Sequence, residues 1–229
     1  MNPIYVALDT PDLEYALSLA ARVAPHAGGL KLGKEFLAAN GPAALTELKR
    51  FGLPIFADTK FHDIPNTVAG AVRATVRLGV HIVNVHAAGG EAMLKAAHDA
   101  AKEVDPATKV VAVTVLTSMS DADLTAVGQA TPARDQVLRL ATLTKACGLD
   151  GVVCSAHEIA PLRAALGDDF LLVVPGIRPA GSAVGDQRRV MGPKEASDAG
   201  ASILVIGRPI TGASDPGEAA RAIAESLGL

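Results

Sequence analysis

Pro54-Ile55-Phe56-Ala57-Asp58-Thr59-Lys60-Phe61-His62-Asp63-Ile64-Pro65 starts as an apolar, strand-like run and turns at Asp58 into two carboxylates and an ammonium within six residues. A chain gains no stability from placing like charges beside each other at the rim of a core, so the cluster needs another reason. Beyond it, Ile64, Val68, Ala71 and Thr75 recur at helical spacing. An apolar strand, a charged end and an amphipathic helix make one βα unit.

The unit repeats along the chain. Short aliphatic runs at Ile4–Leu8, Gly29–Leu32, Pro54–Ala57, His81–His86, Val110–Leu116, Gly151–Cys154, Leu171–Val174 and Ile203–Ile206 predict eight strands. Helix-spaced apolar residues separate most of them, as in Leu13, Leu17, Ala20 and Ala24, or Ile159, Leu162 and Leu166. Spacing is about one unit throughout, with a longer gap between the fifth and sixth strands. Eight units in 229 residues, with no linker, predict a single-domain α/β fold over residues 1–229, a closed (β/α)8 TIM barrel. An open dinucleotide-binding sheet would want G-x-G-x-x-G after its first strand, and Asp9-Thr10-Pro11-Asp12 stands there instead. Thr10 and Pro11 read as the N-cap and first position of the first helix.

Bulk composition narrows the function. With 49 % hydrophobic residues and a net charge of -3, the chain has material for a core and no nucleic-acid footprint. No apolar run reaches the roughly 18 residues that span a bilayer. Met1-Asn2-Pro3 enters a strand without a basic flank or leader-like segment. Cys147 and Cys154 lie in apolar surroundings without zinc spacing and read as reduced core residues of a cytoplasmic protein.

The strand ends carry the chemistry. Asp9, Asp58 with Lys60, Thr117, Ser155, Pro175-Gly176-Ile177-Arg178 and Gly207-Arg208 stand where strands finish, and Lys31 sits between Leu30 and Leu32. If both leucines face the helices, Lys31 faces the barrel axis. In such barrels the carboxyl ends of several strands build the active site. Asp58 and Lys60, two apart on an extended backbone, point the same way. With Lys31 and Asp63 they form an alternating array, Lys31–Asp58–Lys60–Asp63, suited to holding a lysine protonated and setting fixed negative charge against a substrate anion. The plainer alternative is a solvated turn with Asp63 capping the next helix. His62 and His86 have no distinct partner in sequence and read as structural. Gly207-Arg208 after the eighth strand fits a phosphate grip, against an ordinary turn with a surface arginine. From Gly176 to Gly192 no regular structure is predicted, and the glycines, Arg178 and Gln187 suit a lid over a ligand, against a plain surface loop. There is no H-x-x-x-H or HExxH. Lys60 would compete with Mg²⁺ for Asp58 and Asp63, and Ser155 is not in G-x-S-x-G.

Asp58-x-Lys60-x-x-Asp63-Ile64-Pro65-Asn66-Thr67, with Pro175-Gly176-Ile177-Arg178, Asp186-Gln187 and Val205-Ile206-Gly207-Arg208-Pro209-Ile210-Thr211, resembles the orotidine 5′-phosphate decarboxylase family from Val6-Ala7-Leu8-Asp9 to the C-terminal helix. The D-x-K-x-x-D core alone belongs to a wider superfamily. The resemblance implies decarboxylation of orotidine 5′-phosphate to uridine 5′-phosphate without metal or organic cofactor. It implies Lys60 as the acid that protonates C6, Asp58 against the departing carboxylate, and Lys31 and Asp9 on the ribose hydroxyls. It further implies Ser155 on the pyrimidine, Thr117 and Pro175 lining the pocket, and Arg178, Gln187, Gly207 and Arg208 on the phosphate. In the family, Asp63 and Thr67 reach the other subunit's site, so a homodimer with shared sites is expected.

Overall fold

The computed structural model of the chain describes residues 2–179 and 191–229. Eight parallel strands close in sequence order: β1 (Ile4–Ala7), β2 (Gly29–Leu32), β3 (Ile55–Phe61), β4 (Ile82–His86), β5 (Lys109–Val113), β6 (Gly151–Val153), β7 (Leu171–Val174) and β8 (Ile203–Ile206). β1 also pairs with β8, Ile4 beside Leu204 and Val6 beside Ile206, which leaves no open edge. The expected (β/α)8 barrel is the fold of this chain. Around it lie α1 (Leu13–Val23), α2 (Lys34–Asn40), α3 (Pro65–Val76), α4 (Gly90–Val104), α5 (Asp121–Ala126), α6 (Ala133–Ala146), α7 (Ile159–Leu166), α8 (Pro193–Asp198), α9 (Arg208–Thr211) and α10 (Pro216–Ser226). No described helix is long and apolar enough to cross a membrane.

Alternation along the strands divides the apolar residues between two cores. Ile4, Val6, Leu30, Leu32, Leu204 and Ile206 face outward into the layer shared with the helices. Tyr5, Phe56, Ile82, Val111, Val173 and Val205 face inward and fill the barrel. A one-residue slip would exchange the two faces of a strand, and at roughly 1.5–3 kcal/mol per buried aliphatic side chain the register is firmly set. Gly29 serves this packing: a Cβ there would lie 2.4 Å from the Tyr5 ring, so the glycine makes room for the ring near the amino ends of the strands. Lys31 is in register with Ala7 on one side and Phe56 on the other, so it points along the inward row as its two leucine neighbours predicted.

Several expectations change in detail. The first helix is capped by Asp12, whose carboxylate accepts from the Tyr15 N–H, and not by Thr10, whose hydroxyl accepts from Asp12 N. Asp63 does not cap α3 either: Ile64 holds that position, and Asp63 Oδ1 accepts from the adjoining Ile64 N–H at 2.6 Å. β5 ends at Val113, not Leu116, and β3 runs on past Ala57 through the charged residues to Phe61. The long fifth-to-sixth gap holds two helices, α5 and α6. Most of the segment expected as a lid, including Gln187, lies outside the described residues. Its two flanks are joined: Ile177 bridges Met191, and Arg178 N donates to Met191 O at 3.0 Å.

Candidate active site

At the carboxyl end of the barrel, β2 and β3 put charge into an interior filled mainly by apolar side chains. Lys31 Nζ lies 2.8 Å from Asp9 Oδ1 and 3.2 Å from Asp58 Oδ2. Lys60 Nζ donates to the other Asp58 oxygen, Oδ1. That oxygen also accepts from Asn84 Nδ2 at 2.7 Å. The side chains of Lys31 and Asp58 are only 8 % and 11 % exposed, so their interaction is barely screened by solvent. Burial alone would pull the Lys31 ammonium below its ordinary pKa, but Asp58 and then Asp9 outweigh it and leave it raised. Burial likewise favours a neutral Asp58, yet Lys31 and Lys60, with the hydrogen bonds from Lys60 and Asn84, hold its carboxyl below the usual range. Lys31 and Asp58 are therefore ionised together at neutral pH.

This arrangement needs a break in β3. Ala57 pairs with Val83 and Phe61 with Val85, so four steps on β3 face two on β4. Lys60 takes φ 52° in the bulge, whereas two-residue spacing on an extended strand was expected. It is the one non-glycine residue with positive φ among those described, a conformation that costs about 1–2 kcal/mol. Strain of this kind gathers at sites that use it. Close approach also fixes Gly33: a Cβ there would lie 2.6 Å from Asp9 Oδ1 and 3.1 Å from Lys31 Nζ, breaking into their ion pair.

A cleft opens over the array in two lobes that share Lys31, Asp58, Pro175 and Val205. The inner lobe, of about 200 Å³, is walled by Val113, Val153, Cys154 and Val173, with Lys60 and Thr117 at its edge. Its small volume and apolar walls suit a ring. Ser155 follows Cys154, fully buried; its N–H donates to Glu158 Oε2 at 2.7 Å, while its hydroxyl has no partner among the described residues. The outer lobe, of about 420 Å³, is bounded by Asp9, Arg178, Gly207, Arg208 and Thr211. Burial, and then the Arg208 charge, push the Arg178 guanidinium below its ordinary pKa. Arg178 Nε is buried without a partner among the described residues. Two cations held close together with a donor unused can take up an anion between them. A small apolar lobe and a larger lobe with two arginines thus meet above one ion array.

The sequence matches, over residues 2–223, the model of the orotidine 5′-phosphate decarboxylase / HUMPS family. The chain belongs to that family. Among its relatives, the orotidine 5′-phosphate decarboxylase of Rhodospirillum rubrum is 57 % identical over 99 % of this chain and 94 % of its own length. That of Paramagnetospirillum magneticum is 52 % identical over the whole of both chains. The crystal structure of orotidine 5′-phosphate decarboxylase from Lactobacillus acidophilus superposes with a TM-score of 0.88 at 39 % identity, covering 100 % of each chain.

Of the residues singled out by family resemblance, Asp9, Lys31, Asp58, Lys60, Thr117, Pro175, Arg178, Gly207 and Arg208 all border the two lobes. Asp63 and Thr67 do not; both are exposed, in a stretch exposed continuously from His62 to Thr67. His62 and His86 do have a partner, each other, with ring centroids 5.6 Å apart. Burial, His62, Lys34 and Lys60 together lower the His86 pKa to about 4, so it is neutral at physiological pH. Sequence reading passed over Asn84 and Gly33. A signal for Asn84 existed: an amide inside the run Ile82-Val83-Asn84-Val85, on the inward parity of Ile82.

Proposed function

We propose that this protein decarboxylates orotidine 5′-phosphate to uridine 5′-phosphate and carbon dioxide, as a step of de novo pyrimidine synthesis, with no metal or organic cofactor. The observation that carries the reading is the Lys31–Asp58–Lys60 array lying between a ring-sized lobe and a two-arginine lobe. The C6–carboxylate bond breaks, carbon dioxide leaves, and the electron pair remains on C6. Lys60 donates a proton to that carbon and later recovers one from solvent. No carbonyl adjoins C6 to spread the charge, so the ammonium groups supply the stabilisation, fixed in place before reaction. Asp58 faces the departing carboxylate, where its charge disfavours the bound acid and is relieved as carbon dioxide leaves. Asp58 accepts from Lys60 and Asn84 on Oδ1 and from Lys31 on Oδ2, so a divalent cation would have to compete with two ammonium groups for this carboxylate.

Binding follows the two lobes. The pyrimidine occupies the inner one with Ser155 as hydrogen-bond partner and Thr117 and Pro175 against its edges. Asp9 and Lys31 hold the ribose hydroxyls. Arg178, Gln187, Gly207 and Arg208 hold the phosphate, whose binding energy, released far from C6, positions the ring and drives out water. The two buried cysteines, Cys147 and Cys154, neither of them in a disulfide, fit a reducing cytoplasmic setting.

The test is the fall in orotate absorbance on mixing protein and orotidine 5′-phosphate in chelator. Activity lost in chelator and restored by Mg²⁺ would instead place the protein with metal-dependent relatives that use the same D-x-K-x-x-D carboxylates. Tight uridine 5′-phosphate binding without turnover would make it a silent binder.

In the proposed homodimer, Asp63 and Thr67 complete the partner's site, a reading their exposure supports. Mixing Asp63→Ala with Lys60→Ala protein, each inactive alone, then restores one complete site per hybrid dimer, about a quarter of all sites after equal, random exchange. Absence of recovery despite demonstrated subunit exchange overturns the sharing.

A further inference from the structure

Three consecutive residues of the β3 bulge are tied to a single residue of β4. Asn84 Nδ2 donates to Asp58 Oδ1 at 2.7 Å, the Thr59 hydroxyl donates to Asn84 O at 2.9 Å, and Lys60 N donates to Asn84 Oδ1 at 2.7 Å. Asn84 is fully buried. Lys60 N–H can only donate, so the carboxamide oxygen must face it and the NH₂ must face the carboxylate. The orientation of the amide is thus settled by chemistry. The group that supplies these bonds also stands where β3 leaves the ladder, between the pairs Ala57–Val83 and Phe61–Val85.

We infer that Asn84 is a positioning residue for Lys60: its carboxamide holds the bulge in the left-handed conformation that turns the Lys60 ammonium onto Asp58, and shares with that ammonium the same Asp58 oxygen. The rate readouts below rest on the proposed decarboxylation; the structural readout does not. Few side chains can replace this one. Leucine has similar volume but neither donor nor acceptor. Ionised aspartate offers two acceptors and sets its charge against Asp58. Glutamine carries the same amide one methylene further. A protonated aspartic acid alone keeps a carbonyl acceptor for Lys60 N and gains an O–H donor for Asp58 at the right length.

Asn84→Ala and Asn84→Asp test this. In Asn84→Ala, kcat for orotidine 5′-phosphate is expected to fall by about 100-fold, as for a misplaced reacting group, while uridine 5′-phosphate affinity stays within about threefold. The crystal structure of that variant should show Lys60 out of the positive-φ region. In Asn84→Asp, kcat relative to the unsubstituted enzyme should rise as pH falls, following one proton, because protonation recreates the donor–acceptor pair. This variant carries the test if the alanine variant does not fold. A pH-independent ratio in Asn84→Asp, or Lys60 keeping its positive φ and kcat unchanged in Asn84→Ala, overturns the inference. If the unsubstituted protein does not turn over orotidine 5′-phosphate, the proposed reaction fails, and the Lys60 backbone angle in Asn84→Ala still decides the role of Asn84.

Discussion

Replacing Lys60 with alanine is expected to lower turnover of orotidine 5′-phosphate by about 10³-fold or more while uridine 5′-phosphate still binds. The variant loses two things at once. The acid that delivers a proton to C6 is gone, and so is a positive charge beside the carbon where an electron pair is left. Water entering the space is a poorer acid and brings no fixed charge. The fold should survive the loss. Asp58 keeps Lys31 at 3.2 Å and Asn84 at 2.7 Å, so the buried carboxylate is not left unpaired. The destabilisation should therefore stay below the roughly 3–5 kcal/mol typical when a buried ion pair loses one partner outright. Relief of the left-handed strain at residue 60 changes little, since alanine pays a similar cost there. Stopped-flow absorbance for turnover and calorimetry for product binding separate these effects. Near-normal turnover would sink the assignment of Lys60; lost turnover with lost product binding would make the residue structural.

The fold was legible because its signals are local. Leu30-Lys31-Leu32 announces both the strand and the inward lysine through the two-residue period alone. Eight such runs at near-constant spacing leave few topologies besides the barrel. The site was legible in part for the same reason, since a barrel gathers its strand ends at one rim. What escaped depends on relations between strands. Nothing within Asp58-Thr59-Lys60 tells that four residues of β3 will face two of β4. That follows from the closed ring of registers and from Asn84, 24 residues beyond Lys60 in the chain. The extended-strand reading had the two side chains on one side and was right about their meeting, yet the backbone reaches that result through a positive φ. His62 and His86 were similarly invisible as a pair until β4 was laid beside the end of β3. Thr10 and Asp12 show the limit of local signals at helix ends, where two good capping residues stood two positions apart and the chain used the second.

Removing the second cationic group from the outer lobe should have the opposite signature to Lys60→Ala. Arg208→Ala is expected to weaken uridine 5′-phosphate binding by about 10- to 100-fold, the loss of a charge-assisted contact worth roughly 1.5–3 kcal/mol. Arg178→Ala should do the same, and the double variant should lose about 10³-fold or less if the two contacts are not independent. Without an anion the two repel: the Arg208 charge, after burial, helps push the Arg178 guanidinium below its ordinary pKa, so removing either arginine relieves the other. An anion between them cancels that repulsion, and each arginine raises the value of the other only when the anion is bound. A double-mutant cycle on uridine 5′-phosphate affinity should therefore show positive coupling, whereas the same cycle on uridine, which lacks the phosphate, should show none. Uridine affinity itself should change little in all three variants, because the ribose and ring contacts are untouched. Affinity for uridine 5′-phosphate that is unchanged in Arg208→Ala would move the phosphate elsewhere. Equal losses for uridine and its phosphate would show that the arginines shape the cleft instead of gripping an anion.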